Sequence, residues 1–160
     1  MGAGKSTFGK QLAAYLNYEF VDLDDAIVAH EGKSIEQIFA ESGENSFRLA
    51  EQNALHRETN AGENKVIATG GGAPCFFDNM DYMNSNGCTI FLNIAPKEIA
   101  KRLSKSNNAH RPLLLNKSAE EIEIFISDKL KERIMFYEES EVEILDSEVN
   151  MDWLLGLILW

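Results

Sequence analysis

The first seven residues, Met1 to Thr7, form the pattern in this chain with the clearest chemical potential. They match the second half of a phosphate-binding loop of the type G-x-x-x-x-G-K-[S/T], whose backbone N–H groups surround a polyphosphate. In such a loop Lys5 would reach the outer phosphates and the hydroxyl of Ser6 would bind Mg²⁺. A glycine-rich turn before a helix is the alternative, but Gly-Lys-Ser-Thr opening an amphipathic helix is much rarer by chance. The pattern therefore predicts binding of a nucleoside triphosphate.

A second group of reactive side chains, Asp22 to Asp25, follows a short predicted strand. Alternate residues of an extended chain point the same way, so Asp22 and Asp24 would share a face. One carboxylate could hold the hydration shell of Mg²⁺, and the other could orient or deprotonate a substrate hydroxyl. The alternative is a helix N-terminus that carries acids because the helix dipole favours them. The nearby phosphate loop favours the functional interpretation.

Two further patterns stay ambiguous in isolation. Arg48 and Glu51 are three residues apart on a predicted helix and share a face. Spacing alone favours a surface ion pair of little energetic value over a positioned arginine that grips a substrate carboxylate. The triplet Gly70 to Gly72 could let backbone approach a ligand closely, or could be a flexible loop, and the residues alone do not separate these.

The remaining cations and histidines carry weaker signals. Arg111 lies in the polar segment from 107 to 117, where it could close over phosphates as a lid or be a solvated loop residue. Arg133 lies near the end of a long predicted helix, where a cation also suits the dipole. His30, His56 and His110 lack metal-ligand spacing and are expected at the surface.

Composition limits the class of protein. The 160 residues fit one domain, 1–160, with a sizeable core. The formal net charge of −11 argues against a nucleic-acid surface, because phosphate backbones need basic patches. The apolar run from 153 to 160 is too short to span a bilayer. Two cysteines suit a reducing compartment, so we expect a cytoplasmic protein without a membrane partner.

The order of predicted elements indicates an α/β fold with a doubly wound parallel sheet flanked by helices. Strands are expected at Glu19–Asp22, Lys65–Ala68, Thr89–Asn93 and Val142–Leu145. A helix is expected at Thr7–Leu16, with Phe8, Leu12, Tyr15 and Leu16 on one side. Another follows the capping box at Ser34, has Ile35, Ile38 and Phe39 buried, and ends at Gly43. Further helices are expected at about 45–60, from Pro96, from a second capping box at Ser118 to about Tyr137, and from an N-cap at Asp152. Ligands of such sheets lie beyond the carboxyl ends of the strands.

Taken together and in this order, the patterns resemble the shikimate kinase family of small P-loop kinases. The matching residues are Gly2-Ala3-Gly4-Lys5-Ser6-Thr7, Asp22-x-Asp24, Phe47-Arg48-x-x-Glu51, Gly70-Gly71-Gly72, Arg111-Pro112-Leu113-Leu114, and Arg133 with Tyr137. The resemblance implies phosphorylation of the 3-hydroxyl of shikimate by ATP with Mg²⁺, a step toward chorismate and the aromatic amino acids. It also implies substrate-binding helices at about 25–60 and a lid at about 105–118. We expect a monomer.

The resemblance also implies a role for each matching residue. ATP would be bound by the segment Gly2, Ala3, Gly4, Lys5, Ser6 and Thr7 together with Arg111, and the metal by Ser6 and, through water, Asp22. Lys5, Asp24 and Arg111 would be catalytic, with Asp24 as candidate base. Shikimate would be bound by Asp24, by the backbone of Gly70, Gly71 and Gly72, and by Arg48 and Arg133 on its carboxylate.

Two other hypotheses stay open at this point. Another small-metabolite P-loop kinase, such as a gluconate kinase, shares the loop and a lid but needs no paired arginine clamp. A catalytically inert nucleotide-binding module is the third possibility.

The resemblance further implies a five-stranded sheet whose central first strand is missing here, and we expect roughly ten upstream residues to supply a strand of ordinary length.

Overall fold

The computed structural model describes residues 2–105, 117–145 and 151–158. Within these ranges the helices are α1 (Lys5–Leu16), α2 (Leu23–Glu31), α3 (Ile35–Thr59), α4 (Asn79–Asn86), α5 (Pro96–Lys105), α6 (Ala119–Tyr137) and α7 (Met151–Ile158). The strands are β1 (Glu19–Asp22), β2 (Lys65–Ala68), β3 (Ile90–Leu92) and β4 (Val142–Ile144). All four strands coincide with the predicted ones to within two residues, which confirms the α/β class.

The described strands form two parallel pairs. Strand β1 pairs with β2, from Glu19 beside Lys65 to Asp22 beside Ala68. Strand β3 pairs with β4, from Ile90 beside Val142 to Leu92 beside Ile144. Parallel neighbours require long crossover connections, which the intervening helices supply. Each pair belongs to one of two compact units, Lys5–Gly87 and Met1–Gly4 with Cys88–Trp160.

The core of the Lys5–Gly87 unit lies between α2 and α3. Its buried members are Leu23, Ile27, Ile38, Phe47, Ala54 and Leu55. The predicted capping box starts α3: Ser34 Oγ accepts from the N–H of Gln37, and Gln37 Oε1 accepts from the N–H of Ser34. Gly43 interrupts the helix at φ 77° and ψ 176°, as its predicted helix-ending role required. The kink separates the start of α3 from the segment that carries Arg48.

In the second unit α5 packs against α6. Ile99, Ala100 and Leu103 of α5 and Ile122 and Ile126 of α6 are buried. Helix α6 begins at a second predicted capping box, in which Ser118 and Glu121 exchange hydrogen bonds. No helix within the described ranges combines the length and apolar character needed to cross a membrane.

Several local predictions were wrong. Phe39 was expected in a buried stripe, but its exposed fraction is 39%. Asp152 lies inside the first turn of α7 and is not its N-cap. His56 was expected at the surface, yet it is half-buried and its ring stacks on Tyr82 at a centroid distance of 3.9 Å. Periodicity gives the face of a helix but not the neighbours that cover it, which explains these errors.

Candidate active site

The segment before α1 has the backbone of a phosphate-binding loop. Gly2 and Gly4 adopt φ values of 74° and 95°, a region that residues with a Cβ rarely enter. A Cβ on Gly2 would also lie 2.8 Å from Cγ2 of Ile99, so glycine is needed there for packing as well. Helix α1 begins immediately afterwards at Lys5, so the positive end of its dipole follows the two glycines directly, as in anion-binding helix N-termini. This geometry supports the predicted phosphate site.

Ser6 and Asp22 come together as the metal hypothesis requires. The Ser6 hydroxyl donates a 2.8 Å hydrogen bond to Oδ2 of Asp22. The other oxygen of Asp22 accepts from the N–H of Asp24 at 3.2 Å and caps α2. A hydroxyl and a carboxylate held this close are hard oxygen ligands of the kind that Mg²⁺ prefers. The two residues are 16 positions apart, and the end of β1 brings them together.

Asp24 is placed differently from the prediction. The strand ends at Asp22, so Asp24 lies in the first turn of α2 and not on extended backbone. Its carboxyl keeps an exposed surface, yet the surrounding protein removes enough water to raise its pKa. This desolvation is the largest cause; the negative charge of Asp22 adds to it, while Lys5 and Arg48 oppose it. Asp24 therefore lies within electrostatic reach of the phosphate-loop lysine and of Arg48.

Arg48 is not the surface ion-pair residue that its spacing suggests. Its Nη1 donates a 2.6 Å hydrogen bond to Oε2 of Glu51, whose side chain is only 1% exposed. Glu44, on the outer side, accepts from Nε and Nη2 at 3.4 and 3.3 Å. The side chain of Arg48 is only 11% exposed, so its planar guanidinium has a defined orientation. The paired N–H donors of that guanidinium form a fork that can bind a carboxylate through two hydrogen bonds.

The glycine triplet lies directly against these charged side chains. A Cβ on Gly70 would meet Oε1 of Glu51 at 2.7 Å and Oδ1 of Asp24 at 3.4 Å. A Cβ on Gly72 would meet Nη1 of Arg48 at 2.5 Å. Successive turns also order the segment, since Ala73 N–H donates to Gly70 O and Cys75 N–H donates to Gly72 O. Close approach, rather than loop flexibility, accounts for these two glycines.

The other predicted site residues are placed as follows. Ala3 lies between the two positive-φ glycines, Thr7 is exposed in the first turn of α1, and Gly71 lies at the centre of the triplet. Arg133 is half-buried in the second half of α6. Arg111 and most of the predicted lid fall outside the described residues. Their roles therefore stay predictions.

Two residues beside Arg48 were missed by sequence reasoning. Glu44 precedes Arg48 by four positions, a helical spacing that could have revealed it. Phe76 places its ring centroid 4.2 Å from Cζ of Arg48, although the two are far apart in the chain. Nothing local in the sequence indicates this second contact.

Comparison with known proteins gives a consistent result. The family model described as shikimate kinase matches residues 1–154. The shikimate kinase of Parabacteroides distasonis is 46% identical over 142 residues, which cover 89% of this chain and 81% of that protein. The crystal structure of shikimate kinase from Bacteroides thetaiotaomicron matches with a TM-score of 0.90 and 40% identity, and covers 98% of this chain and 93% of its own. Shikimate kinase from Acinetobacter baumannii in complex with shikimate matches with a TM-score of 0.81 and 32% identity, covering 98% of this chain and 84% of its own.

Proposed function

This chain belongs to the shikimate kinase family, and we propose on that premise that it transfers the γ-phosphoryl group of ATP to the 3-hydroxyl of shikimate. The step leads toward chorismate and the aromatic amino acids. One observation carries the proposal: the first turn of α2, helix α3 and the loop after β2 bring Asp24, Arg48 and Gly70 to Gly72 together. The Asp24 carboxylate can accept a hydrogen bond from a hydroxyl group, and the Arg48 guanidinium can bind a carboxylate. Together with the adjacent glycine backbone, these groups suit a ring acid that carries hydroxyl groups.

Recognition of the substrate would depend on charge and close approach. The Arg48 fork can bind a ring carboxylate through two parallel N–H groups, an arrangement that a lysine cannot reproduce. Glu51 holds that fork from behind. The absence of a side chain at Gly70 and Gly72 lets the charged groups of Glu51 and Arg48 lie directly against this backbone, whose polar groups would contact the ring hydroxyls. We assign Arg133 as the second cation for the carboxylate.

The chemical step would use the residues around Lys5. Its ammonium would offset charge that builds up on the transferring phosphoryl group, and the backbone of residues 2–7 would hold the phosphates. Ser6 and, through water, Asp22 would hold Mg²⁺, which would supply positive charge to polarise a phosphoryl oxygen. Arg111 would act on ATP from the lid at about 105–118.

Asp24 would take the proton in this reaction. The substrate oxygen forms a bond to the γ-phosphorus, the bond from that phosphorus to the bridging β,γ-oxygen breaks, and the hydroxyl proton passes to the Asp24 carboxylate. A pKa raised by desolvation makes the carboxylate a better base than an ordinary aspartate. ADP and shikimate 3-phosphate are the products. We also propose that the protein works as a cytoplasmic monomer.

A phosphoryl-transfer assay tests the function. The folded chain is incubated with ATP and Mg²⁺ and either shikimate, gluconate or a panel of other hydroxy acids. Production of ADP is followed, and the product ester is identified by phosphorus NMR. We expect turnover with shikimate that exceeds turnover with the other acids. Preference for gluconate would favour a different small-metabolite kinase, and ATP binding without transfer to any acid would indicate an inert nucleotide-binding module.

Lys5→Ala supplies the internal control for this assay. Loss of one preorganised cation should lower kcat by about 100-fold or more, because electrostatic stabilisation of the transition state is lost. Shikimate binding, measured by calorimetry, should change little, since Lys5 faces the phosphates. Retention of more than about a tenth of kcat in a folded variant would contradict the role given to Lys5.

A further inference from the structure

Two aromatic rings lie against the guanidinium of Arg48. The centroids of Phe47 and Phe76 are 4.9 and 4.2 Å from Cζ, inside the range of about 6 Å for cation–π attraction. Phe47 is a core residue, 4% exposed, and its ring centroid lies 4.6 Å from that of Phe39. Phe76 is half-buried and lies outside α3, four residues after Gly72. The closer ring therefore belongs to the segment that follows the glycines assigned to substrate contact.

The backbone around Phe76 is fixed by its own hydrogen bonds. Asn79, which is fully buried, donates from Nδ2 to the carbonyl of Ala73 at 2.9 Å and from its N–H to the carbonyl of Phe76 at 3.3 Å. Gln52 donates to the carboxylate of Asp78 at 3.1 Å and joins this segment to α3. These contacts hold the position of the Phe76 ring relative to the helix that carries Arg48.

The residue after Phe76 is held in an unfavourable conformation. Phe77 has a φ of 55° although it is not a glycine, a left-handed conformation that is unfavourable for a residue with a Cβ. Its side chain is 61% exposed and therefore recovers little energy through burial. Such conformations persist where the surrounding structure determines them, and they concentrate at functional sites. The turn sends Phe77 outward while Phe76 stays against Arg48.

We propose that Phe76 is a positioning residue for the substrate carboxylate clamp, with its ring face holding the guanidinium plane of Arg48 in the orientation that a bidentate contact needs. Glu51 holds Nη1 at 2.6 Å, whereas the contacts of the exposed Glu44 with Nε and Nη2, at 3.4 and 3.3 Å, are long and restrain rotation of the guanidinium plane only weakly. A ring face 4.2 Å away restricts that rotation. This inference rests on the proposed function, because it assigns Phe76 to the shikimate-binding role of Arg48.

The test compares five variants of the full chain: Phe76→Leu, Phe76→Tyr, the neighbouring control Phe77→Leu, and Arg48→Gln with and without Phe76→Leu. KM for shikimate, KM for ATP, kcat and Tm are measured for each. Phe76→Leu should raise KM for shikimate about 3- to 30-fold, equivalent to about 0.7–2 kcal/mol, while KM for ATP and kcat stay within about twofold. Phe76→Tyr keeps the ring and should remain within about threefold of the unaltered chain.

The remaining arms separate positioning from simple space filling. Phe77→Leu should leave every constant within about twofold, since that side chain is exposed. In the Arg48→Gln background, Phe76→Leu should have less than about half its effect on shikimate affinity, because residues that act through one another are not additive. If Phe76→Leu melts below the assay temperature, Phe76→Met replaces it in the same comparison.

The outcomes distinguish the two proposals. Absence of shikimate phosphorylation by the unaltered chain would refute the proposed function, and the role of Phe76 with it. Normal turnover by the unaltered chain would leave the function intact while three results overturn the role of Phe76 alone: an unchanged KM in Phe76→Leu, equal losses in Phe76→Leu and Phe76→Tyr, or full additivity with Arg48→Gln.

Discussion

Replacing Gly72 with alanine would place a methyl group inside the space that Arg48 occupies. The new Cβ would lie 2.5 Å from Nη1, 2.8 Å from Nη2 and 2.9 Å from Cζ of the guanidinium. The backbone conformation at Gly72 is compatible with alanine, since φ −92° and ψ −24° suit any residue. The effect of Gly72→Ala would therefore come from the displaced arginine and not from backbone strain.

The size of the effect follows from these distances. Non-bonded heavy atoms settle at about 3.5–4.0 Å, so the guanidinium must withdraw by roughly 1 Å. Arg48 is enclosed by Glu51 and Phe76 and cannot make this shift while keeping its fork in place. Loss of one charge-assisted hydrogen bond to the substrate carboxylate costs about 1.5–3 kcal/mol, which corresponds to about 10- to 150-fold in kcat/KM for shikimate.

Steady-state kinetics with shikimate and ATP varied separately measure this effect. KM for ATP should change by less than about twofold, because the phosphate loop is not touched. Gly87→Ala is the matched control: that glycine lies in the same unit and has an extended φ of 177°, and a Cβ added there would meet no atom of the described residues within 4 Å. Thermal melts of all three proteins confirm that folded enzyme is compared.

One result would refute the reasoning. If Gly72→Ala is folded and its KM for shikimate stays within about twofold of the unaltered value, Arg48 does not bind the substrate through a fork in this position. An equal rise in both KM values would instead indicate a general disturbance of the fold.

Three further predictions concern the same site. Glu44→Gln should lower KM for shikimate by about 1.5- to 5-fold, because the exposed Glu44 carboxylate competes for the Nε and Nη2 groups of Arg48; an unchanged or raised KM would count against that competition. Arg48→Lys should raise KM for shikimate far more than KM for ATP, whereas Arg57→Lys, an exposed control on α3, should change neither; unaltered shikimate binding by calorimetry would show that the fork is not used. Asp24→Asn should be more stable than the unaltered chain at about pH 7. The pKa of the Asp24 carboxyl is raised in the folded state, so its contribution to stability is present only at low pH. That contribution is lost as the pH rises from the ordinary pKa of 3.8 through the raised pKa of the folded state. The gain should stay below about 1 kcal/mol, or about 2–4 °C in Tm, because the carboxyl keeps an exposed surface that solvent can screen. A gain that persists at about pH 3 would contradict this origin.

Local rules predicted the elements of this fold well. The capping boxes at Ser34 and Ser118 are formed as expected, because each uses side chains and N–H groups three residues apart. Pro96 starts α5, and Gly43 interrupts α3, for similarly local reasons. The error at Asp24 arose at an element boundary: α2 begins one residue earlier than an extended Asp22-x-Asp24 pair would require.

The phosphate loop was predicted from the sequence alone, because such a site depends on consecutive residues, here Gly2 to Thr7, and on the start of the helix that follows. Whether Arg48 belongs to a solvated surface pair or is an enclosed side chain was decided only by the tertiary structure. The spacing to Glu51 is compatible with both, and the 1% exposure of Glu51 separates them. That burial, the approach of Gly72 and the ring of Phe76 all come from segments distant in the chain, and a pattern of neighbouring residues carries no information about such contacts.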